Sequence, residues 1–238
     1  MPHPHHLSHI THADFDTALT GIDDIAALKR RRLSPLARLA LHTARSTLAQ
    51  LASTGDTVDY IIWSSCYGDE NITASIISEI AHGDTPSPTQ FSLSVHNAIS
   101  GLYSIFYQDA TPATSLSSPL HSSLTDAITE AISYLSANGK HRALIVYYDA
   151  PLPEIYHTPD VAIRQAFALS AIVSVDAVVS VDKDTASDIA ILPNPNPLNA
   201  NPNLQAQDLC AQDFYTWYQS DTTVPWHSSL WQLTKAGA

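Results

Sequence analysis

Residues 142–148 read Arg-Ala-Leu-Ile-Val-Tyr-Tyr, an arginine followed by an unbroken apolar run. Such a run fits a strand inside a sheet that is covered on both faces. Working outward, Val58 to Ser64 (VDYIIWS) reads as a second buried strand. Ala166 to Val175 (AFALSAIVSV) reads as another, with a helix as the alternative that its periodicity allows. Helical spacing fills the gaps. Leu36, Leu39, Ala40, Thr43, Ala44, Thr47, Leu48 and Leu51 share a face, with Ser34 as N-cap and Pro35 at the first helical position. Thr54-Gly55-Asp56 ends that helix. Ile72, Ile76, Ile77 and Ile80 mark a second helix over Asn71 to His82, stopped by the turn Gly83 to Pro88. Gln90 to Val95 alternates as a strand and runs directly into an apolar helix from Ala98 to Tyr107. Thr125 to Ser136 is amphipathic and ends at Asn138-Gly139. This alternation predicts an α/β domain, its sheet mostly parallel, with helices on both faces.

The 238 residues suit one such domain over 1–238, with an apolar-poor segment at 194–207 that reads as a mobile loop. Residues 1–20 are rich in His and Thr and weakly patterned; His3, His5, His6, His9 and His12 lack carboxylates or thiols at ligand spacing, so no metal site is expected. Phe214, Tyr215, Trp217, Tyr218, Trp226 and Trp231 concentrate at the far end and are expected to close a core edge. No apolar run reaches the length of a membrane span and the start lacks a secretory pattern, so the expectation is a cytoplasmic protein without a membrane contact.

Eleven Lys and Arg stand against 23 Asp and Glu, a net charge of −12. Six of the bases, Lys29, Arg30, Arg31, Arg32, Arg38 and Arg45, fall in one stretch without an acid. That leaves five bases against 23 acids, a net −18, in the rest of the chain. Such a field repels phosphate backbones and argues against nucleic acid. The basic stretch reads either as a solvated helix end or as a patch for an acidic partner.

The sequence contains no GxGxxG, GxxxxGK[ST], GxSxG or HExxH, which leaves nucleotide, hydrolase and zincin chemistry unsupported and implies no cofactor. Cys66, in SSCYGDE, is the thiol to consider as a nucleophile; the other reading is a small buried apolar residue. His96 and Asn97 occupy the abrupt junction before the helix at 98–107. A side chain there faces the helix's positive end, where a thiolate would be stabilised. Neither residue is a suitable nucleophile, and both also fit as caps for the helix's free N–H groups.

Four blocks in order resemble the β-ketoacyl synthase-like N-terminal-half proteins, the chain-length-factor-like subunits of type II polyketide synthases that make aryl polyenes. They are Arg31-Arg32-Leu33-Ser34, Ser65-Cys66-Tyr67-Gly68-Asp69-Glu70, Ser87-Pro88-Thr89-Gln90-Phe91-Ser92-Leu93-Ser94-Val95-His96-Asn97-Ala98 and Tyr148-Asp149-Ala150-Pro151-Leu152-Pro153. The resemblance covers about residues 29–175, and the closing WHSSLWQL is similar to the family's Trp-rich ending.

The resemblance implies half of a thiolase-like fold: a five-stranded mixed sheet between helices, in which the strand before the junction pairs across a dimer axis. In complete synthases the junction carries the acyl-accepting cysteine and two histidines come from a second half. No cysteine occurs here from Thr89 to Tyr107, which makes His96 and Asn97 a degenerate nucleophile position, and the chain ends where the second half is expected. The implied role is non-catalytic. The chain would pair with a full-length β-ketoacyl-ACP synthase as a heterodimer, with Phe91, Ser92, Leu93 and Tyr103 at the interface or the tunnel. An acidic acyl carrier protein would dock mainly on the partner, or on the stretch from Lys29 to Arg45. The alternative is a small acyltransferase or thioesterase-like enzyme using Cys66 or His96.

Overall fold

The structure, a computed structural model, describes residues 5–14, 16–156, 165–175, 189–195 and 211–235. The strand expected at 142–148 is β4 (Arg142–Asp149), buried along almost its whole length. Its side chains alternate between two cores. Ala143, Ile145 and Tyr147 enter one, while Leu144, Val146 and Tyr148 enter the other. β2 (Tyr60–Ser65) behaves likewise, with Tyr60 and Ile62 on one side and Ile61 and Trp63 on the other.

α2 (Pro35–Ala52) covers the second core. Ser34 caps it as its sequence predicts, the Oγ accepting from the Ala37 N–H at 3.0 Å. α6 (Ser123–Asn138) covers the first core through Leu124, Ala127, Ile128, Ala131 and Leu135. β5 (Phe167–Ser174) resolves the strand-or-helix alternative at 166–175 as a strand.

The sheet departs from expectation in two ways. Its order is β3-β2-β4-β5-β1-β6-β8-β7, eight strands rather than five, with β1 (His5–Asp14), β3 (Ala113–Ser117), β6 (Ile189–Pro193), β7 (Trp226–His227) and β8 (Trp231–Lys235). The first five in that order form the expected mixed sheet; beyond β1 come β6 and then β8 and β7 from the aromatic end of the chain. Only β2 pairs in parallel, with β3 and β4; the remaining ladders are antiparallel. The expectation of a mostly parallel sheet fails because helical crossovers serve only β2, β3 and β4.

β1 lies where the sequence showed little pattern. Its polar side chains are absorbed by pairing on both edges and by a hydroxyl cluster in which Thr11, Thr47 and Ser170 oxygens lie 2.6–2.9 Å apart. Phe214, on α7 (Ala211–Gln219), is buried edge-on to Trp226, so the aromatic end closes the α6 side of the core. Of the loop expected at 194–207, Asn194 bonds the Ser228 and Leu230 carbonyls, and 196–207 lie outside the described residues. No described helix is long and apolar enough to cross a membrane. Among the described residues no group of His, Cys, Asp and Glu is arranged to hold a metal ion; His3 lies outside them.

Candidate functional site

Three parallel strands, β3, β2 and β4, end at the same side of the sheet, the position where open α/β sheets place their chemistry. The loop after β2, Ser65 to Asp69, is held by Asp149 at the end of β4. Asp149 is 1% exposed. Its Oδ1 accepts from the Ser65 hydroxyl at 2.8 Å and the Tyr67 N–H at 3.1 Å, and its Oδ2 accepts from the Cys66 N–H at 2.9 Å. The Ser65 Oγ accepts in turn from the Gly68 N–H at 2.7 Å. Burial pushes the Asp149 carboxyl above the usual carboxylate range, and these donors pull it back in part. Nothing in the sequence pattern set Asp149 apart as the residue that orders this loop; its signal is a lone carboxylate closing an apolar strand.

Cys66 is half-buried. Burial first, then the nearby Asp149 charge, raises its thiol above the ordinary value, while hydrogen bonds from Tyr67 and the Leu120 backbone act the other way. A thiol so placed stays protonated at neutral pH, and an uncharged thiol is a poor nucleophile.

The strand expected at Gln90 to Val95 is a helix, α4 (Pro88–Ser94). β3 already fills the place beside β2, so a strand there would find no ladder. Ser87-Pro88 starts a helix instead, closed by Phe91 N–H to the Ser87 carbonyl at 3.0 Å. The Ser92 and Ser94 hydroxyls bond back to the Pro88 and Phe91 carbonyls. The junction at His96 and Asn97 is therefore a turn between α4 and α5 (Ala98–Tyr107), not a strand-to-helix passage.

Asn97 is exposed and its side chain makes no cap bond. His96 serves as a strut. Its Nε2 lies 2.9 Å from the Leu116 carbonyl of β3, which makes that nitrogen the protonated one. Its Nδ1 would lie 3.3 Å from a Cβ built on Gly68, a residue at φ +70°. Gly68 is favoured by its backbone angle, and a side chain there would also crowd the imidazole.

Of the other residues expected near an interface, Phe91 is 61% exposed, Ser92 is exposed and Leu93 is half-buried. Tyr103 is not beside them. It is buried in the α2-side core, its ring 5.3 Å from that of Trp63 and its hydroxyl donating to Asp109 at 2.9 Å. Its burial follows from α5: Ile99 and Tyr103, four apart, share the buried face.

A feature that the sequence reading passed over lies at the end of β3. This strand pairs with β2 on one side and forms the edge of the sheet on the other. Ile61 N–H bonds the Pro112 carbonyl and Ile61 pairs with Ala113, so Ala113, Ser115 and Ser117 turn their backbone groups outward. β3 leads through Ser118-Pro119-Leu120-His121-Ser122 into α6, a buried helix. The Pro119 carbonyl accepts from the N–H groups of Ser122 and Ser123, each at 2.9 Å. Leu120 is partly buried against the α6-side core. Pro112 and Pro119 bracketing the alternation of Thr114 and Leu116 was the available signal.

The profile of the family described as "Beta-ketoacyl synthase, N-terminal domain" matches residues 8–233, nearly the whole chain. The chain belongs to the β-ketoacyl synthase family. Solved structures with the same fold include a ketosynthase (ApeO) in complex with its chain length factor (ApeC) from Xenorhabdus doucetiae. That match has 21% identity and a TM-score of 0.66, and it covers 93% of this chain and 86% of the other. The ishigamide ketosynthase/chain length factor aligns at 11% identity with a TM-score of 0.56, over 77% of this chain and 55% of that one. A β-ketoacyl synthase from Burkholderia phymatum STM815 aligns at 13% identity with a TM-score of 0.53, over 84% and 57%. No curated protein matches the sequence significantly. These likenesses establish an α/β thiolase-like fold for this member of the synthase family.

Proposed function

We propose that this chain is a non-catalytic, chain-length-factor-like subunit that pairs with a complete β-ketoacyl-ACP synthase and shapes the tunnel in which an aryl polyene grows. The observation that carries this reading is the passage from β3 to α6. The family resemblance places the acyl-accepting cysteine where a strand at the dimer axis enters a helix. The strand that is free to pair across such an axis is β3, and the turn after it holds Ser-Pro-Leu-His-Ser. Leu120 offers an apolar side chain where a condensing enzyme needs a sulfur. The degenerate nucleophile position therefore moves from His96 and Asn97 to the turn at 118–122, and His96 becomes a brace for β3.

The likeness to a ketosynthase and its chain length factor supports the pairing. So do the exposed apolar side chains on α4 and on the helix that packs against it. Ile77 and Ile80 on α3 (Glu70–Ala81), Phe91 on α4 and Val95 all face solvent, and α4 has no buried residue. Exposed apolar side chains on a chain that also has an edge strand suit an obligate interface. Phe91, with Ser92 and Leu93, would form this chain's wall of the partner's tunnel. A single domain over 1–238 would act in the cytoplasm and meet the acyl carrier protein chiefly through the synthase. The enzyme reading gains nothing from the structure, since Cys66 is held as a neutral thiol and the His96 Nε2 is engaged by a carbonyl.

Co-expression with a complete β-ketoacyl-ACP synthase tests this. The expected result is a one-to-one complex whose product length differs from that of the synthase alone. A monomeric chain that leaves the synthase's products unchanged refutes it.

A further inference from the structure

Between Gly68 and His96 the chain makes an excursion of two helices, α3 and α4, joined through a turn at Gly83, which lies at φ +85°. The excursion leaves and returns at one neck. The His96 Nδ1 would lie 3.3 Å from a Cβ built on Gly68. Both sides of that neck are fastened to the end of the sheet. The Gly68 N–H donates to the Ser65 Oγ at 2.7 Å, and the His96 Nε2 donates to the Leu116 carbonyl at 2.9 Å.

Beyond the neck little holds the excursion to the body. Of the 26 residues from 70 to 95 only Ile76 is buried, and it belongs to neither core. α3 packs chiefly on α4. Among the described residues, the hydrogen bonds of 70–95 reach no more than five positions along the chain, and no ion pair ties the segment to another element. α1 (Ala27–Arg30) makes the contrast. It too buries none of its own residues, but it is pinned between Ile25 and Leu33, both buried in the α2-side core.

Helices of 12 and seven residues are marginal in water by themselves. Ordering the segment costs conformational entropy at every residue, and one buried isoleucine offsets that of only about one or two. Local opening energies follow buried apolar contact, so the excursion stands at the low end and the two cores at the high end. Ile77, Ile80, Phe91 and Val95 are exposed on it, apolar surface that stabilises the closed form only once a second protein covers it.

We propose that residues 69–95 open and close as one unit about the Gly68–His96 neck in the free chain, and that docking on the synthase closes the unit. The second half rests on the heterodimer reading above. Docking then competes with opening, so the closed fraction scales the affinity for the synthase, and residues that never touch the partner tune it.

Amide exchange read by mass spectrometry tests this on wild type and Ile76→Ala, each free and mixed with the synthase, with complex formation followed by size exclusion. In the free wild type α3 and α4 are expected to exchange at least about a hundredfold faster than α2 and α6, with the steps in protection at Gly68 and His96. Ile76→Ala should speed both helices together by about tenfold or more and leave α2 and α6 unchanged. In the heterodimer both helices should slow together. Protection of α3 and α4 equal to that of α2 and α6 overturns the proposal. So does an Ile76→Ala effect confined to α3 or spread into α2 and α6, and so does a complex in which exchange over 70–95 is unchanged. If wild type forms no complex, the heterodimer reading fails, and the free-chain exchange alone decides whether the unit exists.

Discussion

Phe91→Ala separates the proposed interface from the fold. Phe91 keeps 61% of its surface in the isolated chain and belongs to neither core cluster. Truncation should therefore leave the chain's own stability within about 0.5 kcal/mol of wild type. In a heterodimer the exposed part of the ring would be covered. An aromatic side chain of roughly 200 Å², 61% of it newly buried, removes about 120 Å² from water. At about 25 cal/mol per Å² this is about 3 kcal/mol. That corresponds to about a hundredfold in Kd. Isothermal titration of the synthase with wild type and Phe91→Ala, alongside thermal melts of the chain alone, reads both quantities. A Kd unchanged within threefold, or a melting point that falls as far as the affinity does, refutes the placement of Phe91 at the interface.

Other consequences follow from the site's geometry. Asp149→Ala strands the Ser65 hydroxyl and the Cys66 and Tyr67 N–H groups in a buried loop, at about 1–3 kcal/mol per unpaired group. Chemical denaturation should show a loss of at least about 3 kcal/mol, with amide exchange raised first over Ser65 to Asp69. Burial lowers the pKa of His5, His12 and His42 below their ordinary 6.5. Below 6.5 the unfolded chain then binds more protons than the folded one, so stability is full above that pH and falls as pH drops through the window beneath it. His42 accepts from the Gly21 N–H, and His42→Gln keeps an acceptor there, so denaturation midpoints measured against pH should show a shallower slope in that variant. Leu120→Cys puts a thiol at the start of a buried helix, where the thiolate is favoured. Its alkylation by iodoacetamide at pH 7, followed by peptide mass, should outpace that of Cys66; slower labelling would remove the 118–122 turn from the nucleophile position.

Much of the scaffold was legible because its signals are local. The unbroken run at 142–148, the Ser34-Pro35 cap and the helical spacing of the segments now seen as α2, α3, α5 and α6 each declare themselves within a few residues. The misreadings arose where tertiary pairing decides. Gln90 to Val95 has the period of a strand, but β3 occupies the only open place beside β2, so the segment coils on its own hydroxyl and carbonyl bonds. β1 shows no apolar period because it sits between two strands and its threonine is absorbed by buried hydroxyls. The proposed site shifts with that strand. Once the strand was placed at 90–95, the nucleophile position fell on His96 and Asn97, and the short alternation of Thr114 and Leu116 before Leu120 went unread. The role of Asp149, a residue of the fourth block, was hidden for another reason: it depends on three donors that are brought together from β2 and the loop after it.

In the proposed role this chain shapes a condensation and does not carry the acyl group. Intact-mass analysis of the heterodimer after incubation with acyl-loaded carrier protein tests it most directly. One acyl increment is expected on the synthase, and an unmodified mass for this chain. An acyl adduct on this chain, abolished by Cys66→Ala, would contradict it.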